Sequence, residues 1–231
     1  MTDATQRSGG FLHDLEPQEL RVLNDHGREQ VFHRGAMLLA ERQLGDRVMV
    51  LLEGRVKLTR ATRQGREIVL GFRSPGDLLG ELSAIDQQPR SAAVVAIEDV
   101  RALTLATRDF LAFLDGHPHA AMVVMRMLVQ RLRDADRKRA DFASSDTVSR
   151  VASRLVELTE RFGTATGTDV VIDLPLTQEE LAGWCGASLE STAKALRTLR
   201  DLGYVATQRR VVTVHDLPQL RACAGMSNDM V

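Results

Sequence analysis

Between Phe32 and about Leu105 the chain alternates short runs of aliphatic residues with turn residues. The runs "RVMVLLEG", "RVKLTRA", "REIVLGF" and "SAAVVAI" are rich in Val, Ile and Leu. Gly35, Gly45, Gly54, Gly65 and Gly76 punctuate them about every ten residues, the rhythm of an all-β sandwich or barrel. At Thr107 the period changes. "TRDFLAFLDG" reads as a short helix, and His117-Pro118 opens a long one that nothing interrupts from Ala120 to Phe142. Met125, Leu128, Leu132, Ala135, Arg139 and Phe142 step by three and four, a narrow seam on a helix roughly 35 Å long. The rest of that helix is heavily charged ("RLRDADRKRAD"), so it is not buried all round. A surface helix packed on the β domain would account for it. A narrow stripe on a helix that outruns a small domain argues instead for a parallel dimer seam.

"SSDTVS" (144–149) is a short polar break, followed by a helix ("VSRVASRLVELTERF"), a Gly/Thr-rich loop ("GTATGT") and a strand ("DVVIDLPL"). Thr177 with Glu180 three residues on is a capping box that starts a short helix ending at "CGA". Ser188 caps a second helix, with Ala195, Leu196, Leu199 and Leu202 expected to face inward and Gly203 to stop it. Two β-type runs around "QRR" then form a hairpin. Short helix, glycine-containing turn, longer helix and hairpin together give a winged helix-turn-helix. The expected organisation is a β domain at 1–116, a long helix at 117–143 and a winged helix at 144–231, an α+β chain.

Composition narrows the chemistry. A formal net charge of −1 over 231 residues means that any basic surface is local. Cys185 and Cys223 are too few and too far apart for a disulfide framework or a cysteine-rich metal site. No apolar run approaches the ~18 residues of a membrane span, and the polar start "MTDATQRSGG" lacks a signal-peptide core, so a cytoplasmic protein is expected. The histidines show no metal-ligand spacing, which counts against a metal-dependent phosphodiesterase.

Two constellations remain. From Ser191 to Arg210 the basic residues Lys194, Arg197, Arg200, Arg209 and Arg210 face the single acid Asp201, a basic helix and wing suited to DNA. Glu190 and Lys194 lie one turn apart near the start of that helix, where side chains reach base edges. The other is "GELSAIDQQPRSAAV" (80–94). "PGDLLGEL" suggests a turn into a single helical turn at Leu79–Leu82, whose free N–H groups favour an anion. Arg90 could fork a phosphate and Ser91 donate a further bond, while Glu81, an acceptor only, suits a ribose hydroxyl. A cyclic nucleotide carries both groups. A Glu81–Arg90 ion pair across a β corner would explain the same residues.

"GDLLGELSAIDQQPRSAAV" is similar to the phosphate-binding cassette of the cyclic-AMP receptor protein/fumarate-nitrate regulator (CRP/FNR) superfamily of bacterial transcription regulators. "DTVSRVASRL" resembles the segment after that family's hinge, and "LTQEELAGWCGASLESTAKALRTL" its helix-turn-helix, so the resemblance runs from about Phe11 to Leu220. It implies a cyclic-nucleotide-binding, jelly-roll-like β-roll, a dimerisation helix and a winged helix-turn-helix. It also implies a homodimer on an inverted-repeat DNA operator, with RNA polymerase as a partner. The nucleotide-binding positions it implies are Leu58, Leu70, Gly80, Glu81, Leu82, Arg90, Ser91 and Ala92, with Ala135 and Asp136 where the base is read. Those for DNA are Thr177, Gln178, Ser188, Leu189, Glu190, Ser191, Lys194 and Arg197.

The chain departs from the family's usual pattern. Ala135 cannot hydrogen-bond a base, whereas Asp136 can accept from adenine or guanine, so cyclic AMP is expected with cyclic GMP or cyclic di-GMP open. Arg133-x-x-Asp136 matches an Arg-x-x-Asp pattern of some cyclic di-GMP sites. Leu189 replaces an arginine that usually reads guanine, and a constitutive, ligand-independent regulator is the rival reading. No cysteine precedes Cys185, which excludes the N-terminal iron–sulfur cluster of one branch.

Overall fold

The computed structural model describes residues 10–62, 67–172, 176–208 and 211–226, with backbone alone for 140–144. An N-terminal unit ends at Asp134 and a C-terminal unit begins at Ala135, so the boundary falls inside the long helix.

In the N-terminal unit α1 (Pro17–His26) precedes β1 (Arg28–Phe32), β2 (Met37–Leu39), β3 (Arg47–Glu53), β4 (Val56–Ala61), β5 (Glu67–Arg73) and β6 (Leu78–Leu79). Then come α2 (Glu81–Asp86), β7 (Ala93–Ala96), β8 (Val100–Ala106), α3 (Thr107–Gly116) and α4 (Pro118–Ser144). The strands form two sheets of order β1-β8-β3-β6 and β2-β7-β4-β5. Their pairings are antiparallel.

Strand β3 explains the double core. Val48 and Val50 pack with Phe110 and Phe113 of α3 and Val123 and Val124 of α4. The alternate residues Met49 and Leu51 pack with Leu38, Leu39, Val56 and Val94 of the facing sheet. A strand covered on both faces reads as a continuous apolar run, as "VMVLL" does.

Several expectations change. The single helical turn expected at Leu79–Leu82 is instead the six-residue helix α2, which starts at Glu81 behind an N-cap at Gly80, while Leu79 ends β6. On α4, Leu128 packs on the N-terminal core instead of lying along an outer seam. The exposed stripe is Met122, Met125, Val129 and Leu132, 42–63% accessible, which keeps the three–four stepping but shifts its phase. The side chain of Phe142 lies outside the described residues. Helix α1, unassigned from sequence, starts at a capping box between Glu16 and Glu19, with Pro17 in its first turn.

The C-terminal unit contains α5 (Thr147–Phe162), β9 (Gly163–Thr166), β10 (Asp169–Ile172), α6 (Gln178–Cys185), α7 (Leu189–Asp201), β11 (Val205–Gln208), β12 (Val211–Val214) and α8 (Leu217–Cys223). The sheet order is β11-β12-β10-β9. "GTATGT", expected to be a loop, supplies β9, because Thr164 and Ala165 find backbone partners in Val171 and Val170. The polar break is only Ser145 and Asp146, and Asp146 caps α5 by accepting from Ser149 N–H at 2.8 Å. α7 ends in a Schellman motif: Tyr204 N–H donates to Leu199 O at 3.1 Å and Gly203 N–H to Arg200 O at 2.9 Å, with Gly203 at φ 76°. Leu202, expected inward, is the C-cap residue and is 52% exposed, outside the buried Ala195–Leu196–Leu199 face.

Candidate functional site: a phosphate cradle and a recognition helix

The cassette residues converge in the N-terminal unit. Leu39, Leu58, Gly80, Glu81, Leu82, Arg90, Ser91, Ala92 and Arg131 are among those lining a solvent-open cleft with about 420 Å³ of empty space. Leu70, 42% exposed, is not part of the lining.

Arg90 is the key group. Its backbone is bracketed by Arg42 N–H donating to Arg90 O at 2.9 Å and Arg90 N–H donating to Gln43 O at 2.8 Å. The side chain is buried, 5% exposed, and Nη2 donates to Arg47 O at 2.8 Å. The nearest anion is the exposed Asp46, 3.5 Å from Nη2. A hydrogen bond from Arg47 holds the Asp46 carboxyl below the usual carboxylate range. Burial lowers the affinity of the Arg90 guanidinium for its proton, but arginine stays charged at neutral pH. Arg90 Nη1 is buried and has no hydrogen-bond partner among the described residues. A buried guanidinium with an unmet donor is costly, and an anion in the cleft would relieve it.

Gly80 makes room for this arrangement. It sits at φ 81°, and a Cβ there would fall 2.4 Å from Arg90 Nη1. The loop back to Arg90 is held by Ser83 Oγ donating to Gln88 O at 2.8 Å and by Gln87 at φ 56°. Glu81 is 3% exposed and does not pair with Arg90 as the ion-pair alternative required. Its carboxylate accepts instead from Arg131 Nη1 on α4, while Arg131 Nη2 donates to Leu78 O at 3.1 Å. Arg131 escaped the sequence reading: its partner is 50 positions away, and within "RLRDADRKRAD" it looks like any solvated charge. Ala135 and Asp136 are exposed on α4, beyond the unit boundary.

In the C-terminal unit α7 buries Thr192, Ala195, Leu196 and Leu199. Its other face exposes Leu189, Glu190, Ser191, Lys194 and Arg197, as do Thr177 and Gln178 at the start of α6. Thr177 Oγ1 accepts from Glu180 N–H at 3.1 Å, and Ser188 Oγ accepts from Ser191 N–H at 3.1 Å, so both hydroxyls cap helices. Arg200 Nη1 donates to Thr207 Oγ1 at 2.8 Å, tying α7 to β11 of the wing. Arg209 and Arg210 lie outside the described residues. Burial pushes the Cys185 thiol up to about 12 despite nearby Arg154 and Arg150, so it is no reactive thiolate at neutral pH.

Residues 29–117 match the cyclic nucleotide-binding domain family and residues 149–223 the Crp-like helix-turn-helix domain family. The chain is 33% identical over 211 residues to a CRP-like cAMP-activated global transcriptional regulator of Mycobacterium tuberculosis, covering 91% of this chain and 94% of that one. It is 29% identical to a cyclic AMP receptor protein of Thermus thermophilus, covering 93% and 96%. Among solved structures, a CRP/FNR-family regulator from Thermus thermophilus is 27% identical with a TM-score of 0.69, over 86% and 98% of the two chains. The c-di-GMP responsive regulator CLP of Xanthomonas campestris shares the fold at 18% identity and a TM-score of 0.77, over 87% and 100%. With a β-roll of the cyclic nucleotide-binding domain family, a Crp-like helix-turn-helix and such relatives, the chain belongs to the CRP/FNR superfamily of transcription regulators.

Proposed function

We propose that the protein is a homodimeric transcription regulator whose hold on an inverted-repeat operator is controlled by a cyclic nucleotide in the Gly80–Arg90 cleft. The observation that carries this is the buried, unmet Nη1 of Arg90 beside Gly80. A phosphate there would take a charge-assisted bond, with Ser91 as a further donor, and Glu81, held by Arg131, would accept from a ribose hydroxyl. Base reading falls to Asp136 on α4, and DNA reading to the exposed face of α7. The relatives' names favour cyclic AMP, with cyclic GMP and cyclic di-GMP as alternatives.

Calorimetric titration of wild type, Arg90→Leu and Asp136→Ala with the three nucleotides, with and without operator DNA, tests the reading. Arg90→Leu should weaken every nucleotide that binds by roughly 2–4 kcal/mol, on the order of 30- to 1000-fold. Asp136→Ala should change the ratio of guanine to adenine affinities and spare phosphate recognition. An unchanged affinity in Arg90→Leu removes the cleft as the phosphate site. A wild type that binds none of the three, yet binds DNA, favours the constitutive regulator.

A further inference from the structure

Lys138, Arg154, Glu157 and Trp184 form one cluster in the C-terminal unit. Lys138 Nζ lies 3.1 Å from Glu157 Oε1, and Arg154 Nη1 lies 3.1 Å from Glu157 Oε2. The same two cations flank the indole of Trp184, with Lys138 Nζ 5.5 Å and Arg154 Cζ 5.4 Å from a ring centroid. Trp184 and Arg154 are 7% and 8% exposed, so their contact is shielded from solvent, while Lys138 and Glu157 are half-buried.

The origin of the members matters. Arg154 and Glu157 come from α5 and Trp184 from α6, both inside the helix-turn-helix fold. Lys138 comes from α4, two positions after Asp136. Helix α6 passes directly into α7 through a tight turn in which Ala187 N–H donates to Ala182 O at 3.0 Å. Holding α6 therefore holds the recognition helix.

We propose that Lys138 is a positioning residue for DNA binding: it seats the last turns of α4 on α5 through Glu157 and on α6 through Trp184, so that a displacement of α4 is delivered to α7. As a mode of ligand control this rests on the reading above, but the contact and its effect on DNA are separately measurable. Lys138 lines neither the cleft nor the exposed face of α7. Its loss should leave nucleotide binding in place and alter what that binding does.

Trp184 is the single tryptophan of the chain, so its emission reports this cluster without a label. The full-length protein would be compared with Lys138→Met, Lys138→Gln and Lys138→Arg. Emission should shift in the Met and Gln variants and stay near wild type in the Arg variant, which preserves the cation. Operator affinity would be measured with and without saturating cyclic AMP, or cyclic GMP if that is the nucleotide bound. The ratio of the two, typically about 5- to 150-fold in coupled systems, should fall to within about twofold of unity in the Met and Gln variants and persist in Lys138→Arg. Unchanged emission in Lys138→Met, or an unchanged ratio, overturns the proposal. If wild type shows no ratio at all, ligand control falls. The seating role then stands if Lys138→Met changes operator affinity about threefold or more with rescue by arginine, and falls if it does not.

Discussion

At Gly80 and Arg90 the geometry is tight enough for one methyl group to matter. Gly80→Ala would bring a carbon to 2.4 Å from Arg90 Nη1 and 3.1 Å from Arg47 O, at a φ of 81° that disfavours any side chain. The left-handed backbone alone costs about 1–2 kcal/mol. Relief of the clash requires the guanidinium to leave its seat on Arg47 O. Gly80→Ala should therefore lower stability by about 1–3 kcal/mol and nucleotide affinity by about tenfold or more, read by denaturation and titration. Loss of stability with intact affinity would mean that Arg90 can bind phosphate from another position. Legibility at this scale was uneven. Glycine before glutamate, and arginine before serine nine residues on, are local signals, and the meeting of Gly80, Glu81, Arg90 and Ser91 at one cleft was readable from them. Arg131 was not, because its role is created by a contact between α4 and the start of α2 that no spacing encodes.

Among the elements of the C-terminal unit, those with terminal chemistry written in the sequence came through: the capping box at Thr177, the Ser188 cap and the Gly203 stop all stand where the residues put them. β9 did not, since Gly-Thr-Ala-Thr has no apolar pattern and is a strand only because β10 lies beside it. The cap of α5 gives a direct test. Asp146→Ala should cost about 1 kcal/mol of stability at neutral pH. The Ser149 backbone N–H holds the Asp146 carboxyl below its usual range. A depressed folded-state value means that the contribution is present above the unfolded value, about 3.9, and is lost as pH falls through the lower folded one. Wild type and Asp146→Ala should thus converge in stability below about pH 4, and a constant difference down the acid limb would exclude the charged cap. For α7, Lys194→Ala should relax selectivity at one base pair per half-site by about 1–3 kcal/mol. Arg197→Ala should weaken all sequences alike and flatten the salt dependence, because phosphate contacts position without specifying. Identical binding profiles for the two variants would place both side chains on phosphate.

For the molecule as a whole, the question is what covers Met122, Met125, Val129 and Leu132. Four aliphatic side chains 42–63% exposed in one line on a helix are an unusual surface for a protein with charged residues on either side of them. Their three–four stepping is that of a two-stranded seam, and a second copy of α4 offers the same stripe in the same order, as a two-fold axis requires. The shift from the expected Leu128 to Val129 follows from packing: the β-roll takes Leu128, and the next residue round the helix is left exposed. Leu132, 63% exposed, is the most accessible of the four and the safest to change without touching the core. Leu132→Glu would set two carboxylates against each other across the axis. If the proposed homodimer forms through this stripe, the variant should keep the fold and any nucleotide binding while being monomeric at concentrations where wild type is dimeric by sedimentation. A monomer meets one half-site at a time, so operator affinity should fall about 100-fold or more through lost bivalency, with single half-sites bound as before. If Leu132→Glu remains dimeric, the seam lies elsewhere. If it becomes monomeric and still binds the full inverted repeat with wild-type affinity, the two recognition helices do not act as a pair.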